Sequence, residues 1–317
     1  MTIPAIRTNA ELIAAIPVIL GYAVTNNLIV VMLADRDGQR SIGCALSLPL
    51  SADVEQVVSI PEQAVAAVEQ NDSAILIAIS ADPEMRDRAT ELLDAARDGL
   101  RNAGMPVICR LVATSAIDAG SWIDIDTFDT GDTFGYAGTV LAAETVFGGS
   151  PIATSRDEVV AEFAPAGAGR APIDSDEVTT GGTVDDVREV LAGQRAPSDD
   201  LAARVAAVIT DDVRLRDALL MAGIDDPGPS AAVWTRLASR MRGVARVQAL
   251  SIAACHYYLN GDGLRAGIAI DVALADSADT GEQVPALTSL LDTALRAGFA
   301  PTQLREVFAS ASNAAKR

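Results

Sequence analysis

Residues 28–50 read LIVVMLADRDGQRSIGCALSLPL, and this stretch decides the fold class of the N-terminal half. A continuous, β-branched apolar run ends at Ala34, a polar turn follows at 35–38, and a second apolar run begins at Ser41. Short apolar runs separated by a glycine-containing turn are typical of paired, buried strands. The stretch therefore predicts an antiparallel β-hairpin.

The sequence on either side of this hairpin predicts a strand–helix–strand unit. Apolar runs at 74–80 and 105–113 have the length of buried strands, and 83–103 has helical spacing. Helices are also predicted at 9–16 and 61–70, where Pro61 suits a first helical position. A helical crossover favours a parallel neighbour. We therefore expect an N-terminal α/β (α+β) domain with a small mixed sheet.

The C-terminal half carries helical signals only. Thr183, Ser198 and Ser230 each precede acidic or apolar residues, as helix N-caps do. Leucines at 287, 290 and 291 illustrate the spacing of three and four that marks an amphipathic helix. Residues 247–275 predict an antiparallel helix pair joined at 260–263, with the small-residue spacing of a tetratricopeptide-like (TPR-like) hairpin. An all-α domain is expected.

The chain length of 317 residues favours two domains. A segment rich in glycine and proline separates the α/β pattern from the helical pattern. We predict an α/β domain at 1–164, a linker at 165–182 and a helical domain at 183–317.

Composition limits the partners and the compartment. The formal net charge is −19, which disfavours binding to nucleic acid. The three cysteines are odd in number and far apart, so they indicate a reducing compartment. No leader segment is evident, and the apolar runs are too short to cross a bilayer. These features predict a cytoplasmic protein that does not enter membranes.

The stretch 118–132 concentrates carboxylates, the ligands that Mg²⁺ or Ca²⁺ prefers. If 122–126 forms a strand, Asp124 and Asp126 project from one face, with Asp129 close behind. These three residues are candidate metal ligands for a hydrolase of phosphorylated small molecules. The alternative is a half-buried strand with a solvated acidic face. No other cofactor is evident, since the common nucleotide-binding and hydrolase signatures are absent from the sequence.

A basic cluster stands out in the acidic chain. It comprises Trp234, Arg236, Arg240, Arg242 and Arg246. Guanidinium groups favour carboxylate or phosphate partners, so this cluster is a candidate partner-binding surface for an acidic domain of the same or a neighbouring chain. Dispersed helix-surface salt bridges are the alternative. The single histidine, His256, adjoins Cys255 on a predicted helix and is expected in a core or interface.

Several short motifs resemble one family along nearly the whole chain. They are Leu20-Gly21-Tyr22, Asn26-Asn27-Leu28, Ser155-Arg156-Asp157-Glu158, Ala164-Pro165, Gly261-Asp262-Gly263 and Ala297-Gly298-Phe299-Ala300-Pro301. The chain resembles the actinobacterial and actinophage proteins grouped as domain of unknown function 4192. The resemblance implies no known activity. Relatives often carry a cysteine-containing stretch after a mid-domain tryptophan, whereas no cysteine follows Trp122 at 123–129.

Together these patterns favour a binding or interaction protein, a scaffold or adaptor, over an enzyme. Helical hairpins present protein-binding surfaces, and the chain carries no recognisable catalytic set. A protein partner or a homo-oligomer is expected. The alternatives are the metal-dependent hydrolase at 118–132 and a small-ligand sensor with a pocket between the domains.

Overall fold

The computed structural model describes residues 6–36, 39–67, 71–147, 152–167, 180–281, 283–296, 299 and 301–315. The chain divides into two compact units, Met1–Glu158 and Val159–Arg317. The predicted linker at 165–182 falls mostly on 168–179, outside the described residues.

The first unit is built on a six-stranded sheet with the order β2-β1-β3-β4-β5-β6. Its strands are β1 Asn27–Arg36, β2 Gln39–Pro49, β3 Ser73–Ile79, β4 Val107–Ala113, β5 Gly120–Asp124 and β6 Thr130–Thr133. The predicted hairpin is present, since β1 and β2 pair antiparallel from Asn27 and Pro49 to Arg36 and Gln39. Strands β3 and β4 pair in parallel, and the remaining pairs are antiparallel. The sheet is therefore mixed, as predicted.

Helices of the first unit bury the apolar side chains of this sheet. They are α1 Asn9–Leu20, α2 Val54–Ala67, α3 Arg86–Asn102 and α4 Val140–Phe147, and α5 Arg156–Ala161 spans the unit boundary. Alternate β1 residues Leu28, Val30 and Met32 form one core with α3 residues such as Leu92 and Leu93. This alternation follows from the two-residue period of a strand.

Helix α2 begins earlier than the sequence predicted. It starts at Val54, so Pro61 lies inside the helix and the prediction of Pro61 as a first helical residue is wrong. The preceding Val57 is fully buried in the sheet core. Tertiary burial of the first turn of α2 therefore outweighs the helix-starting preference of proline.

The second unit contains helices and no strand among the residues described for it. The helices are α6 Thr180–Leu191, α7 Asp199–Asp211, α8 Val213–Ala222, α9 Pro227–Ser239, α10 Gly243–Leu259, α11 Gly263–Thr280, α12 Ala286–Arg296 and α13 Pro301–Ala315. Helix α10 is apolar on nearly every side and contacts α7, α9, α11, α12 and α13. Such a helix is the centre of a bundle. Helices α10 and α11 contact each other and are joined at residues 260–262, and their TPR-like character stays a prediction.

Of the three predicted N-cap residues, one caps a helix in the structure and two do not. Ser198 caps α7, and its Oγ accepts the N–H of Leu201 at 3.1 Å. Thr183 and Ser230 lie inside α6 and α9 and are buried, so their predicted capping roles are wrong. Both helices begin three residues before the predicted cap, and α9 begins on the buried Pro227. In the described part of the chain, helices that are both long and apolar enough to span a bilayer are absent.

Candidate functional site

The acidic stretch 118–132 contains strand β5, a turn at 125–129 and the start of β6. Strand β5 ends at Asp124, so Asp124 and Asp126 do not share a strand face. The buried Asp124 Oδ1 accepts the backbone N–H groups of Asp126 and Thr127 at 2.9 and 3.4 Å. Asp129 accepts the Thr127 hydroxyl at 3.0 Å. Asp124 therefore acts as the local hydrogen-bond acceptor that closes the β5–β6 turn.

The same turn places an aromatic side chain in water. Phe128 is 77% exposed and has a positive φ of 64°, and its N–H donates to the Asp124 carbonyl at 2.9 Å. A bulky residue in the left-handed region is strained, and only the surrounding hydrogen bonds hold it there. No sequence signal distinguished Phe128 from an ordinary turn residue.

A buried arginine accounts for the position of Asp126. The Arg110 guanidinium makes two hydrogen bonds to the Asp126 carboxylate and a third to Asp94 on α3. The hydrogen bonds from Arg110 hold the pKa of Asp126 below its usual value. Only 6% of Arg110 is exposed, so the cluster joins β4, α3 and the turn as a structural ion-pair network.

Burial makes the three cysteine thiols unreactive. Burial, reinforced by the charges of Asp124 and Asp126, raises the pKa of the Cys109 thiol to about 11. Burial alone raises the pKa of Cys255 to about 12 and that of Cys44 above its usual value. All three thiols are unpaired and protonated at neutral pH, so they are weak nucleophiles.

The described residues do not form a ready-made set of metal ligands. Among the residues that the structure describes, no three His, Cys, Asp or Glu side chains are grouped to hold a metal ion. Asp126 faces a guanidinium, while Asp124 faces backbone N–H groups. Binding of Mg²⁺ or Ca²⁺ by Asp124, Asp126 and Asp129 stays a prediction.

The predicted basic cluster is divided between the core and the surface of the second unit. Trp234 is fully buried and Arg246 is 3% exposed. Arg246 donates to Asp276 at 2.6 Å and to the carbonyls of Ala238 and Phe163 at 3.1 and 2.6 Å. These two side chains belong to the interior, because Trp234 lies on the buried face of α9 and Arg246 lies on α10, the helix at the centre of the bundle.

The other three arginines of the cluster lie nearer the surface. Arg240 donates to Asp199 at 3.0 Å, and Arg242 donates to backbone carbonyls that include those of Met241 and Gly167. Arg236 is exposed on α9. The predicted partner-binding surface is thus reduced to these three residues, two of which bind within their own unit.

A chain segment at the start of the second unit is held by two buried arginines. Arg246 binds the Phe163 carbonyl, and Arg265 binds both oxygens of Glu162 at 2.7 Å. The Phe163 ring is buried against Tyr257 in an edge-to-face contact with centroids 5.9 Å apart. The family-like motif at 164–165 follows this anchored segment, so its setting is structural.

The second unit has a groove between α8, α12 and α13, with a volume of about 910 Å³. Its described lining residues are Arg214, Arg216, Asp217, Ala218, Leu220, Met221, Ala286, Leu287, Leu290 and Phe308. The volume lies within the range of ligand pockets, roughly 300–1,000 Å³. Leu290 is 52% exposed at this groove, so apolar surface is left in water. We call these ten residues the α8–α12–α13 groove.

Two arginines lie on one side of the α8–α12–α13 groove. Arg216 binds Asp217 at 2.6 Å and the Gln248 side-chain oxygen at 3.3 Å. Arg214 is exposed, and no described residue pairs with its guanidinium. The groove therefore combines an apolar floor with one cation that is available to an anionic partner group.

Sequence reasoning missed this groove. The α12 residues Leu287, Leu290 and Leu291 lie within an arc of about 100°, the ordinary width of a single packing face, so their spacing gave no signal of a recess. Leu287 and Leu291 are buried, whereas Leu290 remains half exposed. A smaller apolar recess of about 220 Å³ lies in the first unit beside Phe134 and Val140.

The fold and the groove define the class of this protein: a mixed-sheet α/β unit followed by a helical bundle with an open apolar groove and no assembled catalytic set among the described residues. The family model described as Domain of unknown function (DUF4192) matches residues 10–302, and the chain belongs to that family. No curated protein and no solved structure matches the chain.

Proposed function

We propose that this protein is a non-catalytic interaction protein, a scaffold or adaptor, whose partner binds the α8–α12–α13 groove of the helical unit. The observation that carries the proposal is the groove itself, with half-exposed Leu290 beside buried Leu287 and a volume of about 910 Å³. Large apolar recesses with a few polar groups are the usual sites of recognition.

Several finer features form part of the proposal. We place the protein in the cytoplasm of an actinobacterial cell, or among the products of its phage. The α10–α11 hairpin is the TPR-like element, and its buried Ala266, Ile270 and Ala273 support that likeness through close helix packing. The partner is another protein or a second copy of this chain.

A site-specific photo-cross-link tests the proposal. A photoreactive residue replaces Leu290 in the groove or, as the matched control, exposed Arg236 on α9, and both variants are irradiated in actinobacterial cells. We expect a discrete protein adduct from position 290 that is absent from position 236. A product of twice the chain mass identifies a second copy as the partner.

Two outcomes contradict the proposal. If position 290 yields no protein adduct, the groove is not a protein-binding surface in the cell. If position 236 yields the same adducts, the labelling reflects collision rather than binding.

The metal-dependent hydrolase is the second candidate, and the carboxylates at Asp124, Asp126 and Asp129 are its only support. Asp126 already neutralises Arg110 through two hydrogen bonds. A cation would have to compete with this guanidinium. The small-ligand sensor was predicted to bind between the domains, and the α8–α12–α13 groove within the second unit is an alternative pocket for it.

A further inference from the structure

The α8–α12–α13 groove is bordered by helices and leaves apolar surface in water. Three helices border the groove, and Leu290 at its edge keeps half of its surface in water. An α-helix with side chains is about 10–12 Å across, and amphipathic helices bind such grooves through residues spaced three, four and seven apart.

The lining of the groove can adjust to helical side chains. Leu220, Met221, Leu287 and Phe308 are apolar, and they come from three different helices. Methionine is unbranched and polarisable, so it adapts to the shape of an occupant. The apolar floor therefore matches the apolar stripe of a fourth helix packed between α8, α12 and α13.

The charged residues of the groove determine which charge is favourable on the polar side of that helix. Two guanidinium groups and one carboxylate line the groove, and Arg216 binds this carboxylate of Asp217. The charge that remains is that of Arg214, which no described residue pairs. An opposite charge on the partner both attracts it and sets its orientation.

We infer that the α8–α12–α13 groove binds an acidic amphipathic helix of a partner protein. Its apolar stripe lies on Met221, Leu290 and Phe308, whose side chains keep exposed surface at the groove, and its carboxylates pair with Arg214. This inference rests on the proposed function and adds the chemical class of the partner.

Designed peptides test the inference on the full chain. The probe is a fluorescent, alanine-rich helical peptide of about 15 residues, a length near the limit for an isolated helix. Leucines at a spacing of three and four form its apolar stripe, and glutamates form its flanks. A matched peptide carries lysine in place of every glutamate. We expect saturable binding of the glutamate peptide and binding of the lysine peptide that is weaker by about tenfold.

Two charge-reversal variants locate the binding. Arg214→Glu should weaken the glutamate peptide by about three- to tenfold and strengthen the lysine peptide. Arg236→Glu is the matched control, because this arginine is also exposed on a helix of the second unit but does not line the groove. It should change neither affinity, and Leu290→Glu should reduce the binding of the glutamate peptide.

The possible results separate the inference from the function it rests on. Equal affinity for both peptides, or equal effects of Arg214→Glu and Arg236→Glu, overturns the acidic-helix inference. Binding of dodecanoate without either peptide overturns it in favour of a small anionic amphiphile. If neither probe binds while the cross-link at position 290 persists, the inference fails and the interaction function stands.

Discussion

Arg265 and Glu162 are joined by two parallel hydrogen bonds, Nε to Oε2 and Nη2 to Oε1, each 2.7 Å long. Arg265 also binds Asp262, whose Oδ1 accepts the Arg265 N–H and caps α11. The hydrogen bonds to Glu162 raise the pKa of Arg265 further above its usual value, although burial opposes this rise. This bidentate pair fixes the segment that precedes Phe163 to the helical bundle.

Removing the carboxylate of this pair should destabilise the helical unit. Glu162→Ala leaves a guanidinium that is 7% exposed with Asp262 as its remaining charged partner. We expect a loss of about 1 to 3 kcal/mol in the free energy of unfolding, discounted for the partial exposure of Glu162. Urea denaturation measures it, and Asp292→Ala is the control, since its partner Arg296 is 71% exposed. Equal losses of unfolding free energy in Glu162→Ala and Asp292→Ala would show that the Arg265–Glu162 pair stabilises no more than a surface ion pair.

A glycine permits the close crossing of α2 and α3. A Cβ on Gly99 would lie 2.6 Å from the Val58 carbonyl oxygen, and backbone cannot move aside as a flexible side chain can. Gly99→Ala should therefore lower the free energy of unfolding by about 1 to 3 kcal/mol. Gly181→Ala in α6, where a Cβ meets nothing within 4 Å, should instead stabilise by about 0.5 to 1 kcal/mol. Thermal unfolding of both variants measures the contrast, and a stabilised Gly99→Ala protein contradicts the close crossing.

The single histidine should make stability depend on pH. His256 is fully buried, its ring nitrogens have no partner among the described residues, and burial lowers its pKa to about 4. In the unfolded chain the imidazole takes up a proton near pH 6.5, whereas in the folded chain it stays neutral until about pH 4. The free energy of unfolding is therefore unaffected by this group above pH 6.5 and decreases as the pH falls from 6.5 toward 4. We expect about 2 kcal/mol less stability at pH 5 than at pH 7 from this group.

Denaturant unfolding of the protein and of His256→Gln between pH 5 and pH 7 isolates this effect. The variant should show a smaller pH dependence, because its amide does not titrate. The imidazole resonance belongs to one residue, so its NMR titration gives the pKa directly. An inflection near 6.5 would show that water reaches the ring.

Divalent cations should leave the acidic turn unchanged. Asp126 is neutralised by Arg110, and Asp124 Oδ1 is occupied by backbone N–H groups. We therefore expect the same unfolding temperature in Mg²⁺, Ca²⁺ and a chelator. A Mg²⁺-dependent rise that the double variant Asp124→Asn with Asp126→Asn abolishes would instead establish the metal site.

Local patterns in the sequence were sufficient for the β1–β2 hairpin, for the strand–helix–strand unit of β3, α3 and β4, and for the helical character of the second unit. The apolar runs at β1 and β3 are continuous, as in strands buried on both faces, and the spacing of Leu287 and Leu291 fits a helix that buries one face. These predictions succeed because a strand buried on both faces is apolar at every position, whereas a helix that buries one face repeats its apolar residues with a period of 3.6. The strand–helix–strand unit likewise implied a parallel pair.

Only the tertiary structure decided what the singled-out residues do. Arg246 and Arg236 have the same chemistry, yet one lies in the core and the other at the surface. The sequence predicted Asp126 as a metal ligand, but in the structure its carboxylate pairs with Arg110, which is sixteen residues away along the chain. The α8–α12–α13 groove depends on three helices meeting around Leu290. The physical reason is that hydrophobic periodicity is local, whereas charge pairing and recesses depend on residues brought together from distant parts of the chain.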